Sequence, residues 1–212
     1  HSWTTMLQQP FDAQGDVQAY RSGSWFRQVL APVQETLPAN NVPYRQGGVY
    51  VLIGGAGGIG EVWSRCLIEL YQACVIWIGR RPEDETIRLK VSTLAKLGPA
   101  PEYEQADATN LVSLSQAYAR IKSRHASVHG IVHSALVLED AGLANMSAIQ
   151  FQKSLSAKVN VSVNLAEVFS QEPLDFALFF SSVQSFGKAP GQSNYAAGCT
   201  FKDAFAQALN TV

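Results

Sequence analysis

Five consecutive apolar residues, Val49-Tyr50-Val51-Leu52-Ile53, run directly into Gly54-Gly55-Ala56-Gly57-Gly58-Ile59-Gly60. An unbroken apolar run of this length suits a strand buried on both faces, not one with a wet side. A helical pattern over 58–71 follows, and the same alternation then repeats along the chain. Ala73–Ile78 reads as a strand, 83–97 as a charged helix closed by Gly98-Pro99, and 103–106 as a short strand. A helix over 111–123, a strand over 130–133, one long helix over 147–171, a strand over 174–180 and a last helix from Ser193 complete the series. Strand–helix alternation implies a parallel sheet covered by helices, and right-handed crossovers make it a doubly wound α/β fold.

Residues 1–46 break this pattern. They hold two short strand-like runs, Val17–Arg21 and Trp25–Leu30, and a turn-rich linker over 38–43. The segment is too short for a core of its own and is expected to pack on the main domain or on a partner domain. The expected organisation is an appendage over 1–46 and a main domain over 47–212. With 16% charged residues and a net charge of −1, the chain lacks the basic run that a nucleic-acid or anionic-membrane binder needs. No apolar run approaches the roughly 20 residues of a membrane span. The three cysteines, Cys66, Cys74 and Cys199, have no metal-ligand spacing and read as reduced thiols in a cytoplasmic protein. His129 and His133 bracket a predicted buried strand without a third ligand, so no metal site is expected.

The glycine-rich segment has a second consequence. Placed between a buried strand and a helix, Gly54, Gly55, Ala56, Gly57, Gly58, Ile59 and Gly60 can turn tightly and bring backbone N–H groups to a pyrophosphate. A plain structural turn is the alternative. At the end of the next strand stand Arg80 and Arg81 rather than a carboxylate. Two guanidinium groups suit a ribose 2′-phosphate, so the pattern favours NADPH over NADH; two solvated surface arginines are the alternative. Asp107 after the third strand is a candidate for the adenine, with a helix-capping role for its neighbourhood as the alternative. The fold expected is therefore Rossmann-like.

Lys158, Ser182 and Tyr195 supply the reactive groups. A hydroxyl, a phenol and an ammonium can together protonate a carbonyl oxygen while hydride arrives at the carbon. A free phenol has a pKa of about 10, and a nearby ammonium is expected to lower it. Each residue alone has an ordinary reading: a solvated lysine, a capping serine, a packing tyrosine.

These motifs together resemble the ketoreductase domains of polyketide synthases, in the short-chain dehydrogenase/reductase superfamily. The similarity runs from about Gly47 to the end, through Gly48–Gly55, Gly79-Arg80-Arg81, Ala106–Thr109, Gly130–Ala135, Phe180-Ser181-Ser182 and Asn194–Ala197. The run Ala189–Asp203 looks most like modules of the trans-acyltransferase type. The resemblance implies that Tyr195 is the general acid, Ser182 the carbonyl-binding hydroxyl and Lys158 the ammonium. It places Ala108, Ser134 and Ala135 at the cofactor. The substrate it implies is a β-ketoacyl chain on the phosphopantetheine arm of an acyl carrier protein, with neighbouring synthase domains as partners. Asp140 in Leu138-Glu139-Asp140 marks a B-type reductase, which yields the D-configured hydroxyl. The sequence would then stop short of a last strand and a lid, and residues 1–46 would be the tail of a structural subdomain.

Three departures accompany the resemblance. Ile53 stands where threonine is common, Leu136 where glycine is common, and Cys199 where an asparagine is thought to relay protons. A thiol is a poorer hydrogen-bond partner than an amide. These features keep a second reading open, a catalytically silent, scaffold-like ketoreductase. A stand-alone fatty-acid-type reductase fits less well with the position of Lys158 and with the N-terminal appendage.

Overall fold

The computed structural model describes residues 4, 12, 15–27, 29–32, 42–187 and 189–210. Two compact units divide the chain, His1–Val42 and Pro43–Val212. The first carries an antiparallel hairpin of β1 (Gln18–Arg21) and β2 (Ser24–Arg27). Ser22 and Gly23 turn it with φ of 48° and 87°, the left-handed pair that matches the strand twist. Tyr20 and Trp25 face each other across the pair, ring centroids 5.1 Å apart. β2 ends earlier than the sequence suggests. Residues 33–41, which include most of the expected linker, lie outside the described residues, as do Lys188 and residues 211–212.

The second unit begins its regular structure with β3 (Val49–Ile53), α1 (Gly58–Tyr71), β4 (Cys74–Gly79), α2 (Glu85–Leu94), β5 (Glu102–Gln105) and α3 (Leu111–Lys122). It continues through β6 (Gly130–His133), α4 (Ala148–Ser156), α5 (Val159–Val168), β7 (Phe176–Phe179) and α6 (Ser193–Leu209). The five strands β3–β7 form one parallel sheet in the order β5-β4-β3-β6-β7. This is the doubly wound arrangement the alternation predicts. The chain winds one way from β3 and the other way from β6, so a crevice opens beyond the C-terminal ends of those two strands.

The period of two along each strand divides the core into two layers. Val49, Val51 and Ile53 pack with Ile76 and Ile78 against Leu114, Ala117 and Ile121 of α3 and Val161 and Leu165 of α5. Tyr50 and Leu52 pack with Val75 and Trp77 against Leu67 and Ile68 of α1 and Ile87 and Leu94 of α2. Burying one such Leu or Ile contributes about 1.5–3 kcal/mol relative to leaving it exposed. Buried on both faces, β3 has no polar position, which is why its sequence is unbroken apolar. No helix among the described residues is long and apolar enough to cross a membrane.

One element departs from expectation in a way that matters. The single helix expected over 147–171 is two helices, α4 and α5, separated at Ala157-Lys158. At the break the Lys158 N–H bonds to the Leu155 carbonyl, three residues back, instead of four. This tightened turn uses neither proline nor glycine, so composition alone does not announce it. Ser147 opens α4 with a reciprocal capping box to Gln150.

Candidate active site

The crevice beyond β3 and β6 is a cleft of about 840 Å³. Of the residues expected at a cofactor, Gly54, Ala56, Gly57, Gly58, Ile59, Gly60, Arg80, Arg81, Asp107, Ala108, Ser134 and Ala135 all line it. Gly55 does not; it faces Trp77 instead. Gly54 has a φ of 82°, and a Cβ there would lie 3.0 Å from the backbone of Ala135. Glycine is therefore required both for the turn and for the approach of β3 to the segment after β6. Ser134 ties that same junction, donating from its hydroxyl and its N–H to the Ile53 carbonyl at 2.9 and 3.0 Å.

The helix α1 begins at this turn, and its N-cap, Gly57, supplies no side-chain cap. Its first N–H groups thus have no side-chain cap, and the carboxylate in its first turn, Glu61, is engaged by Lys90, a setting for a phosphate. Arg80 and Arg81 are both exposed at the cleft rim. Arg81 pairs with Asp84 at 3.3 Å, while among the described residues Arg80 has no carboxylate partner. The neighbourhood of Asp107 does hold a helix cap, Asn110 at the start of α3, while the Asp107 carboxylate accepts from the Thr109 N–H and hydroxyl.

Sequence reasoning missed Lys90 on α2. Its ammonium donates to the Ala56 carbonyl at 2.8 Å and pairs with Glu61 at 2.9 Å, bracing the glycine-rich turn from outside. No local signal marks it, because the contact spans two helices and a loop.

The three side chains expected to be catalytic converge at a different place, outside the lining of that cleft. The turn between α4 and α5 carries Lys158 inward, where it is 2% exposed. Its Nζ sits over the face of the Tyr195 ring, 3.2 Å from the centroid, and donates to the Tyr195 carbonyl at 3.4 Å. Room for the Lys158 stem comes from Gly198 on α6, where a Cβ would fall 2.5 Å from Lys158 Cδ. Gly198 is a second residue that sequence reasoning missed. Ser182 follows β7 and does act as a cap: its hydroxyl accepts from the Gln184 N–H at 3.2 Å. It also lies beside the Tyr195 hydroxyl.

Electrostatics correct one expectation. Burial raises the Tyr195 phenol above its ordinary value, Cys199 adds to the rise, and the Ser182 hydroxyl opposes it. The Lys158 Nζ lies over the ring face, where it gains a cation–π contact. Burial also lowers the Lys158 ammonium, with Cys199 opposing. Cys199 is itself fully buried beside both groups.

Asp140 is exposed and accepts from Gln192 Nε2 at 3.0 Å, while Asn194 Nδ2 donates to the Glu139 carbonyl at 3.0 Å. These two bonds tie the 139–140 segment to the start of α6, next to Tyr195. His129 is engaged by the backbone, its Nδ1 accepting from the Val49 N–H at 2.9 Å. No group of three metal-ligating side chains converges among the described residues.

Known proteins agree with this architecture. Residues 48–211 match the KR domain family. Polyketide synthase PksN of Bacillus subtilis (strain 168) is 55% identical over 207 residues, covering 98% of this chain and 4% of PksN. PksM of the same strain is 48% identical over 205 residues, covering 97% of this chain and 5% of PksM. The chain therefore spans only a small part of the length of these relatives. A crystal structure of an N-terminal ketoreductase from the macrolactin assembly line superposes with a TM-score of 0.81 at 30% identity, over 88% of this chain and 37% of that one. A ketoreductase domain from the bacillaene assembly line gives 0.80 at 28% identity, over 92% of this chain and 46% of that one. The chain belongs to the KR domain family, the ketoreductase domains of polyketide synthases.

Proposed function

We propose that the chain is the catalytic part of an NADPH-dependent reductase acting on a β-ketoacyl thioester carried by an acyl carrier protein. The observation that carries this reading is the convergence of Lys158, Ser182 and Tyr195, from three separate segments, in one half-buried corner. The cleft fits a dinucleotide: an uncapped helix N-terminus, a glycine turn that no Cβ obstructs, and a guanidinium without a carboxylate partner at the end of β4. When bound, NADPH supplies the hydride that reduces the ketone. Gly57 and the first turn of α1 would hold the pyrophosphate, and Arg80 the 2′-phosphate.

The chain's own residues do the acid and electrostatic work. Ser182 donates a hydrogen bond to the ketone oxygen and so favours the growing negative charge. Tyr195, kept protonated by its burial, delivers the proton to that oxygen. Lys158, under the ring, stabilises the phenolate that remains. Asp140, held against the start of α6 through Gln192, supports the B-type reading, with a D-configured hydroxyl as product. Residues 1–46 form the tail of a structural subdomain, and neighbouring synthase domains are the partners that deliver the carrier.

Reduction of a short β-keto thioester with NADPH, followed by chiral separation of the product, tests the activity and the stereochemistry in one assay. Consumption of NADPH with formation of the D-hydroxyl is expected. The L-product would overturn the role of Asp140. Failure to bind NADPH, measured by calorimetry, would favour the scaffold-like reading instead.

A further inference from the structure

Lys158 and Lys202 are the buried lysines among the described residues, and the chemistry above uses only the first. Lys202 lies on α6 and is 1% exposed. Its Nζ donates to the Phe180 carbonyl at 3.0 Å and to the His133 carbonyl at 3.4 Å. The His133 carbonyl also accepts the Phe180 N–H at 3.1 Å. The ammonium therefore sits where the β6–β7 ladder ends, and beyond that point the two strands run on to Ser134 and Ser182. A buried cation there costs desolvation that an apolar side chain would not, so its retention needs a physical return.

Every packed element presents a titratable or polar group to it. From β6 comes the buried imidazole of His133. Lys158 faces it from the turn between α4 and α5, Cys199 and Asp203 from α6, and the Phe180 carbonyl from the end of β7. Burial, and next the Lys158 charge, bring the Lys202 ammonium down to about 7. Burial, and next Lys202, hold His133 far below its ordinary value, so that imidazole is neutral.

We infer that Lys202 is a positioning residue for the Tyr195 corner: its ammonium clamps the Ser182-bearing end of β7 to β6 and shares the buried positive charge with Lys158. The inference rests on the reductase reading of that corner. A charged donor holds a carbonyl more strongly than a neutral amine, so loss of the proton slackens the clamp. Two ammonium groups in one buried site repel, so the charge on each is linked to the other.

The test compares the wild type with Lys202→Met and with Lys202→Gln, which keeps a neutral donor. Wild-type kcat should decline as pH rises through the Lys202 range, near 7. Lys202→Met should be lower by about tenfold at pH 6, as loss of a charged hydrogen bond implies, and flat across that range with NADPH affinity unchanged. Lys202→Gln should fall between the two and be flat as well. Melting temperatures give a readout free of catalysis. The folded-state pKa lies below the unfolded one, so the unfolded chain binds more protons between them, and wild-type stability rises with pH across that window. Lys202→Met should therefore melt highest relative to the wild type below pH 7, with the gap closing at alkaline pH. Unaltered kcat and pH profile in Lys202→Met, or a gap independent of pH, would overturn the inference. A wild type inert toward β-keto thioesters sinks the reductase reading and the positioning role with it, while the melting series still reports whether Lys202 is a buried, titrating cation.

Discussion

The cofactor cleft and the Tyr195 corner are built from different materials. The cleft is made of main chain: a left-handed Gly54, the uncapped start of α1, and the ends of β3, β4 and β6. The corner is made of side chains brought from the α4–α5 turn, the segment after β7 and the start of α6. A backbone site is indifferent to most substitutions and intolerant of an added Cβ. A side-chain site depends on particular atoms and on the packing beneath them. Changes at the corner should therefore remove turnover while leaving binding intact, and changes in the cleft should do the reverse.

Tyr195→Phe is the largest test of that separation. It keeps the ring that Lys158 stacks on and removes only the acidic proton. Turnover should fall by about 10²–10⁴-fold, the usual contribution of a positioned general acid. NADPH affinity, measured by fluorescence titration, should stay as in the wild type. Loss of binding would mean that the two regions are not separable.

Gly198→Ala probes the packing under the corner. The new Cβ would meet Lys158 Cδ at 2.5 Å, and a lysine that is 2% exposed has nowhere to move. Overpacking of this kind costs about 1–3 kcal/mol, read as a lower melting temperature, and turnover should drop with displacement of Lys158. Gly54→Ala is the mirror case: strain at φ 82° and a 3.0 Å contact with Ala135 should abolish NADPH binding and leave the corner in place.

The contrast also explains what was legible in the sequence. The glycine run, the arginines after β4 and the apolar strands are contiguous, and their spacing carries their meaning; both arginines and all of the glycine run except Gly55 line one cleft. Lys158, Ser182 and Tyr195 could be named because family resemblance supplied the pairing that spacing could not. Their geometry was out of reach. The break at Ala157-Lys158 arises from one shifted hydrogen bond, and Nζ lies over the Tyr195 ring face. The direction of the Tyr195 shift follows first from burial, which is not a local property. Gly198, Lys202 and Lys90 act across elements far apart in the chain, so nothing near them in sequence reveals their contacts.

Arg80 sharpens the cleft side of the comparison with a smaller effect. Its guanidinium has no carboxylate partner among the described residues, while Arg81 is engaged by Asp84. Arg80→Ala should raise the Kd for NADPH about tenfold, the worth of a charge-assisted hydrogen bond, and barely change that for NADH. Equal losses for both cofactors would assign Arg80 to the common part of the dinucleotide. An NADPH loss only with Arg81→Ala would reverse the assignment of the two arginines.

Lys90 should give the smallest change, and the reason separates support from recognition. Its ammonium touches the outer side of the turn, at the Ala56 carbonyl, and neutralises Glu61 in the first turn of α1. Lys90→Met leaves a carboxylate uncompensated beside the place where phosphates would bind. The turn itself is kept by the Gly57 N–H to Gly54 carbonyl bond at 2.9 Å, so its shape should survive. A partly exposed pair of this kind contributes roughly 0.2–1 kcal/mol, which limits the rise in NADPH Kd to about fivefold. Adding Glu61→Gln should restore most of the loss, because the penalty comes from the bared negative charge and not from a missing contact. A loss in Lys90→Met that Glu61→Gln fails to restore would show that the backbone turn does not hold itself, and that the cleft too depends on a side chain.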